Sequence, residues 1–79
     1  MPLTAQDKTV TSVYAYGRKH IWKTQDNKFI LTHVNQDNYT EARYCNERGI
    51  VIDPTILTVV YRKSAHVKCM ERLGYKIIK

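Results

Sequence analysis

Two runs of residues that favour an extended backbone face each other across Gln25-Asp26-Asn27. One is His20-Ile21-Trp22-Lys23-Thr24 and the other Lys28-Phe29-Ile30-Leu31-Thr32-His33-Val34. β-Branched and aromatic side chains suit a pleated strand, and Asp and Asn tolerate the left-handed φ of a tight turn. A hairpin here commits the chain to a sheet, and a sheet must bury one face against another element. With Asp26-Asn27 as the loop, the expected pairs are Thr24 with Phe29, Trp22 with Leu31 and His20 with His33, all on one face. Lys19, Ile21, Lys23, Ile30, Thr32 and Val34 then fall on the other. A slip of one residue would break all these pairings.

The remaining elements are read around that hairpin. Thr9–Tyr16 is rich in Val, Thr and Tyr and reads as a strand ended by Gly17. Residues 1–8 read as a tail or a short capped turn, with Thr4 and Asp7 in capping positions. Asn38 with Glu41 resembles a capping box, which predicts a helix over 39–48 stopped by Gly49, with Tyr39, Ala42 and Cys45 inward. Ile50-Val51-Ile52 reads as a short buried stretch, Asp53-Pro54 as a turn, and residues 56–61 as a strand covered on both faces or central in its sheet. Ser64 is placed to cap a second helix through Leu73, whose apolar stripe is Ala65, Cys69, Met70 and Leu73. Gly74 stops it, and residues 75–79 form a last strand. The expected order is β-β-β-α-β-α-β: an α+β class domain with one sheet and two helices packed on it. No internal repeat is read.

A chain of 79 residues is a single domain, 1–79. At this size the net stability is often only ~3–5 kcal/mol, and a homodimer is one common way to raise it. The apolar share of 43 % is too high for a disordered chain. The apolar runs fall far short of the ~18 residues of a membrane span, and residues 1–8 carry no apolar signal core. Cys45 and Cys69 lie on apolar faces and are read as reduced core residues, which points to a cytoplasmic protein.

Thirteen Lys and Arg against seven Asp and Glu leave a net charge of +6. In the 39–48 helix, Glu41 and Arg48 would complement the helix dipole and need no partner. Arg62 and Lys63 precede the second helix, where cations oppose the dipole, and Lys68 and Arg72 continue a basic stripe interrupted by Glu71. Together with Ser64 they form a candidate phosphate-contacting surface at a helix start. A second cluster, Arg18, Lys19, Lys23 and Lys28, is interleaved with Tyr16 and Trp22 (Tyr14 is close by), a pattern suited to single-stranded nucleic acid. Each has a plain alternative: a solvated helix face, Trp22 as core, and lysines that keep a hairpin edge from aggregating. His66 is read as a surface histidine.

Catalysis and metals find no motif. The three glycines are isolated, so there is no phosphate loop, and no Ser/His/Asp spacing or carboxylate pair stands out. His20, His33, Cys45 and Cys69 lack zinc-ligand spacing. No enzyme activity, cofactor or metal is expected. The segment from Ser64 to Tyr75 resembles the end of a recognition helix in winged-helix domains and brings no residue role with it. The expected function is a small, basic, nucleic-acid-binding accessory or regulatory protein, binding DNA or RNA. The competing reading is an inhibitor or adaptor, of the kind found among small virus-encoded accessory proteins, that docks on an acidic protein surface.

Overall fold

The computed structural model describes residues 8–77. The readings for residues 1–7 and for Ile78 and Lys79 fall outside that range. Seven elements follow one another: β1 (Thr9–Tyr16), β2 (Lys19–Thr24), β3 (Phe29–Val34), β4 (Thr40–Cys45), β5 (Thr58–Val60), α1 (His66–Arg72) and β6 (Lys76–Ile77). They build one six-stranded sheet in the order β5-β4-β3-β2-β1-β6, antiparallel except where β6 runs parallel to β1. The α+β class stands, with one helix instead of two among the described residues and the order β-β-β-β-β-α-β there.

The correction is at 39–48, where Thr40–Cys45 forms β4 and no helix is present. Asn38 has φ 64°, whereas a helix N-cap sits in the extended region. Asn38 is instead the last loop residue of a hairpin, and the same loop occurs three times. Thr24, Asn35 and Asn46 each donate their backbone N–H to the carbonyl four residues on, at 2.8–2.9 Å. Each also accepts, through its side-chain oxygen, the backbone N–H of that same residue: Lys28, Tyr39 and Ile50. The residue before it has positive φ: Asn27 at 65°, Asn38 at 64° and Gly49 at 82°. This is the three-residue hairpin loop, a type I turn closed by a left-handed residue. The three starts lie eleven residues apart, and Gln-Asp-Asn stands in the first two loops, at 25–27 and 36–38. That repeat is a sequence signal for a meander, and the capping-box pattern of Asn38 and Glu41 overlaps it.

The hairpin register also differs by one residue. Trp22 pairs with Ile30, His20 with Thr32 and Lys19 with His33. The loop has three residues rather than two, so β3 shows the opposite face. Trp22, Thr24, Ile30, Thr32, Val34, Thr40, Ala42 and Val60 therefore share the side on which α1 lies, and all are buried. Cys69 and Met70 of α1 complete that core, with Ala65, Leu73, Leu57, Tyr75 and Ile77 around it. The expected stripe on this helix is thus the one it buries.

The opposite side holds a smaller cluster, Ile21, Leu31 and Cys45 with Phe29. The 46–50 loop folds back over it. A Cβ on Gly49 would lie 2.7 Å from Ile21 Cδ1, whereas one on Gly17 would meet nothing within 4 Å. Both glycines have positive φ. Gly17→Ala therefore carries the backbone penalty alone, about 1 kcal/mol, while Gly49→Ala adds overpacking and should cost about 2–3 kcal/mol. Urea denaturation of the two variants checks this; equal midpoints would show that the loop does not press on Ile21.

Two further expectations change. Ile50, Val51 and Ile52 are exposed, with only a bridge from Val51 to Cys45, because the loop over Ile21 turns them outward. The strand expected over 56–61 shortens to Thr58–Val60 at the edge of the sheet. Cys45 and Cys69 are both buried free thiols, one in each core. Burial raises both thiol pKa values, that of Cys45 to about 11, so neither is a ready thiolate. Among the described residues no helix is long and apolar enough to cross a membrane.

Candidate nucleic-acid interface

The expected basic surface divides between the two sides of the sheet. On the helix side, Arg62, Lys63, Ser64 and Lys68 line a shallow cleft of about 470 Å³ with His20, His66 and Glu71. All four are exposed, but the helix behind them has only seven residues. Ser64 does not cap it. Its φ is 57°, the N-cap position falls on Ala65, and no side chain caps the helix. Thr40 of β4 does the tethering instead: its hydroxyl accepts from Ala65 N–H at 2.9 Å and donates to the Arg62 carbonyl at 2.8 Å. The stripe expected to run on through Arg72 also breaks, because Arg72 Nη1 donates to the Val59 carbonyl at 2.8 Å.

Behind the cleft lies a buried polar relay. Trp22 Nε1 donates to Thr32 Oγ1 at 2.8 Å, and His66 Nδ1 sits 2.8 Å from the same oxygen. The hydroxyl has one proton to give, and the His20 carbonyl is farther, at 3.5 Å. With Nδ1 of His66 bare, the donors run from Trp22 through Thr32 to His66, and each bond has one donor and one acceptor. The His66 ring stacks on His20 with centroids 3.7 Å apart and planes 13° from parallel. His66 is not the surface residue expected but only 5 % exposed. Burial, with His20 as a second cause, pushes its pKa down to about 4; burial also lowers that of His20. Nδ1 of His20 has no hydrogen-bond partner among the described residues, so the proton belongs on Nε2, leaving only an acceptor unpaired.

Trp22 is therefore removed from the candidate binding residues by position. It is 2 % exposed and has no ring face to offer. Arg18 is likewise engaged, donating to the carbonyls of Val34 and Asn35 and to Asn38 Oδ1. It clamps the neighbouring β3–β4 loop. Lys28 lies 3.9 Å from Asp26 and over the Tyr44 ring.

Three of the expected residues do come together. On the side away from the helix, Tyr16 pairs with Lys19, Tyr14 with Ile21 and Ser12 with Lys23. Tyr14 and Tyr16 are 65 % and 45 % exposed, with ring centroids 5.3 Å apart. Lys19 and Lys23 flank them and pair with no carboxylate among the described residues. Across β3 and β4 the same side carries His33, brought there by the observed β2–β3 register, and Arg43, which is placed only once 40–45 is a strand. Arg43 is held by Glu41 at 2.8 Å, so its charge is offset within the protein. Two exposed rings between two cations can stack planar groups and hold anions beside them.

No described group of three His, Cys, Asp or Glu is placed to hold a metal ion. Set against known protein families, curated proteins and solved structures, the chain matches none of them.

Proposed function

We propose that this is a small, non-enzymatic nucleic-acid-binding accessory protein that takes single strands on the outer face of β1 and β2. The observation that carries the reading is the exposed Tyr14–Tyr16 pair, set on one face with Lys19 and Lys23. Bases stack on exposed rings without sequence preference, and lysines meet the phosphates between them. The net charge of +6 favours encounter with a polyanion. Arg62, Lys63 and Lys68, on the other side of the sheet, form a secondary basic area that a longer strand could reach around the edge. Two buried free thiols fit a cytoplasmic location.

Fluorescence anisotropy with single- and double-stranded DNA and RNA at two salt concentrations tests this. Single strands should bind more tightly than duplexes. Tyr14→Ala and Tyr16→Ala should each weaken binding by about 1–3 kcal/mol. Lys19→Ala and Lys23→Ala should each lower the log–log salt slope by about 0.7. No binding at low salt, combined with recovery of a stoichiometric acidic protein from a pull-down, would replace this reading with the adaptor reading.

A further inference from the structure

The outer edge of β1 is built differently from the opposite edge of the sheet. At the far side β5 has three residues, and its Val59 carbonyl is covered by the Arg72 guanidinium. β1 is paired on its outer side by β6 only at Thr9 and Val10. Thr11 interrupts the register with β2, and beyond it Ser12, Val13, Tyr14, Ala15 and Tyr16 have no outer partner among the described residues. This stretch contains no charge, no proline and no glycine. Exposed edges are normally guarded by such residues or kept short, because their unpaired N–H and C=O groups template another strand.

Both faces of this stretch are bare as well. Val13 and Ala15 lie on the helix side, where α1 packs over β3, β4 and β5 and does not reach them. Val13 is 47 % exposed. A strand with an open edge and apolar side chains on both faces is complementary to another strand of the same kind.

We infer that β1 pairs with β1 of a second copy of this chain, antiparallel about a twofold axis, joining the two sheets into one. The two edges match in length, in alternation and in lack of charge, as a self-complementary interface requires. Val13 and Ala15 of both copies would meet on one face, and Tyr14 and Tyr16 on the other, as cross-strand pairs. The net charge does not forbid it. The cations on the tyrosine face, Lys19 and Lys23, stand on β2, so those of the two copies are separated by three strand spacings, about 14 Å. That exceeds the Debye length of about 8 Å at physiological salt. An acidic peptide would find no charge on β1 itself to answer its own.

Sedimentation equilibrium of the full chain from about 10 µM to about 1 mM, at low and high salt, tests the inference. A dimer that tightens as salt rises is expected, opposite in sign to the salt effect on nucleic-acid binding. Val13→Lys, on the face away from the tyrosines, should raise the dissociation constant at least about tenfold while leaving the circular dichroism spectrum unchanged. Hydrogen exchange of the unmodified chain gives an independent readout. Amides within 12–16 should slow as concentration rises, while those of Thr58–Val60 should not. A monomer throughout the range, or a dimer whose concentration-dependent protection lies outside β1, would overturn it.

Discussion

Trp22→Ala is expected to leave the chain largely unfolded at room temperature. Trp22 fills the middle of the larger core, against Ile30, Val10 and Met70. Truncating a buried tryptophan costs about 3–5 kcal/mol, and a domain of this size has about that much to lose. A second cost follows, since Thr32 loses the indole donor and is left to His66 alone. Far-ultraviolet circular dichroism and urea denaturation measure the effect. Trp22→Phe keeps most of the ring volume and drops the N–H, so it should fold with a smaller loss, about 1–2 kcal/mol. The same burial predicts weak acrylamide quenching of the single tryptophan, with or without nucleic acid. A folded Trp22→Ala variant, or quenching as strong as for a free indole, would return Trp22 to the surface.

The second large effect is with pH. In the folded chain His66 has a pKa of about 4, below its ordinary 6.5, because burial and the stacked His20 disfavour the cation. Above pH 6.5 the ring is neutral in both folded and unfolded states, and the contribution to stability is complete. Between pH 6.5 and about 4 the unfolded chain takes up a proton that the folded chain resists, so stability falls. Below about 4 both states are protonated and the loss levels off. The total is about 3 kcal/mol by linkage, and the lowered pKa of His20 adds to it in the same direction. His33 is lowered too, with burial the main cause and Lys19 the next. Carboxylates with lowered pKa values, such as Glu41 and Asp26, stabilise the fold above their ordinary range near pH 4 and lose that contribution only as the pH falls below it. Urea midpoints between pH 7.5 and 5, where about half the effect develops, isolate the histidines. His66→Gln should lower stability at neutral pH and flatten the profile; an unchanged slope would place the proton uptake elsewhere.

Much of this architecture was legible because it is local. β1 was read with its full bounds, since six of its eight residues are Val, Thr or Tyr, which favour the pleat. The stripe of α1 was legible from the spacing of Ala65, Cys69 and Leu73, which needs no knowledge of the partner. β4 failed where local preference and tertiary context disagree. Glu41, Ala42 and Arg43 favour a helix weakly, by tenths of a kcal/mol, whereas β3 offers β4 a ladder along all six residues and β5 a second one over Thr40–Ala42. The repeated Gln-Asp-Asn outweighed the capping box because Asn38 takes a left-handed φ.

The candidate site was legible as residue types and not as places. Tyr16, Lys19 and Lys23 stay together because they are near neighbours across one tight turn at Gly17 and Arg18. Trp22 left the set because its face of the sheet is the one that α1 covers, as its alternative reading as core expected. Arg18 and Arg72 left it because distant carbonyls, at Val34, Asn35 and Val59, claim their guanidinium groups.

By itself, then, the sequence determined strand and turn propensity, the apolar face of the one helix, and the basic charge. These depend on residues within a turn or two of each other. Tertiary structure alone decided which face of the hairpin is buried, that 40–45 joins the sheet, and that the two basic clusters lie on opposite sides of it. Those outcomes follow from the loop length and from pairings between strands, and a pattern of period two reads the same from either face until a partner covers one.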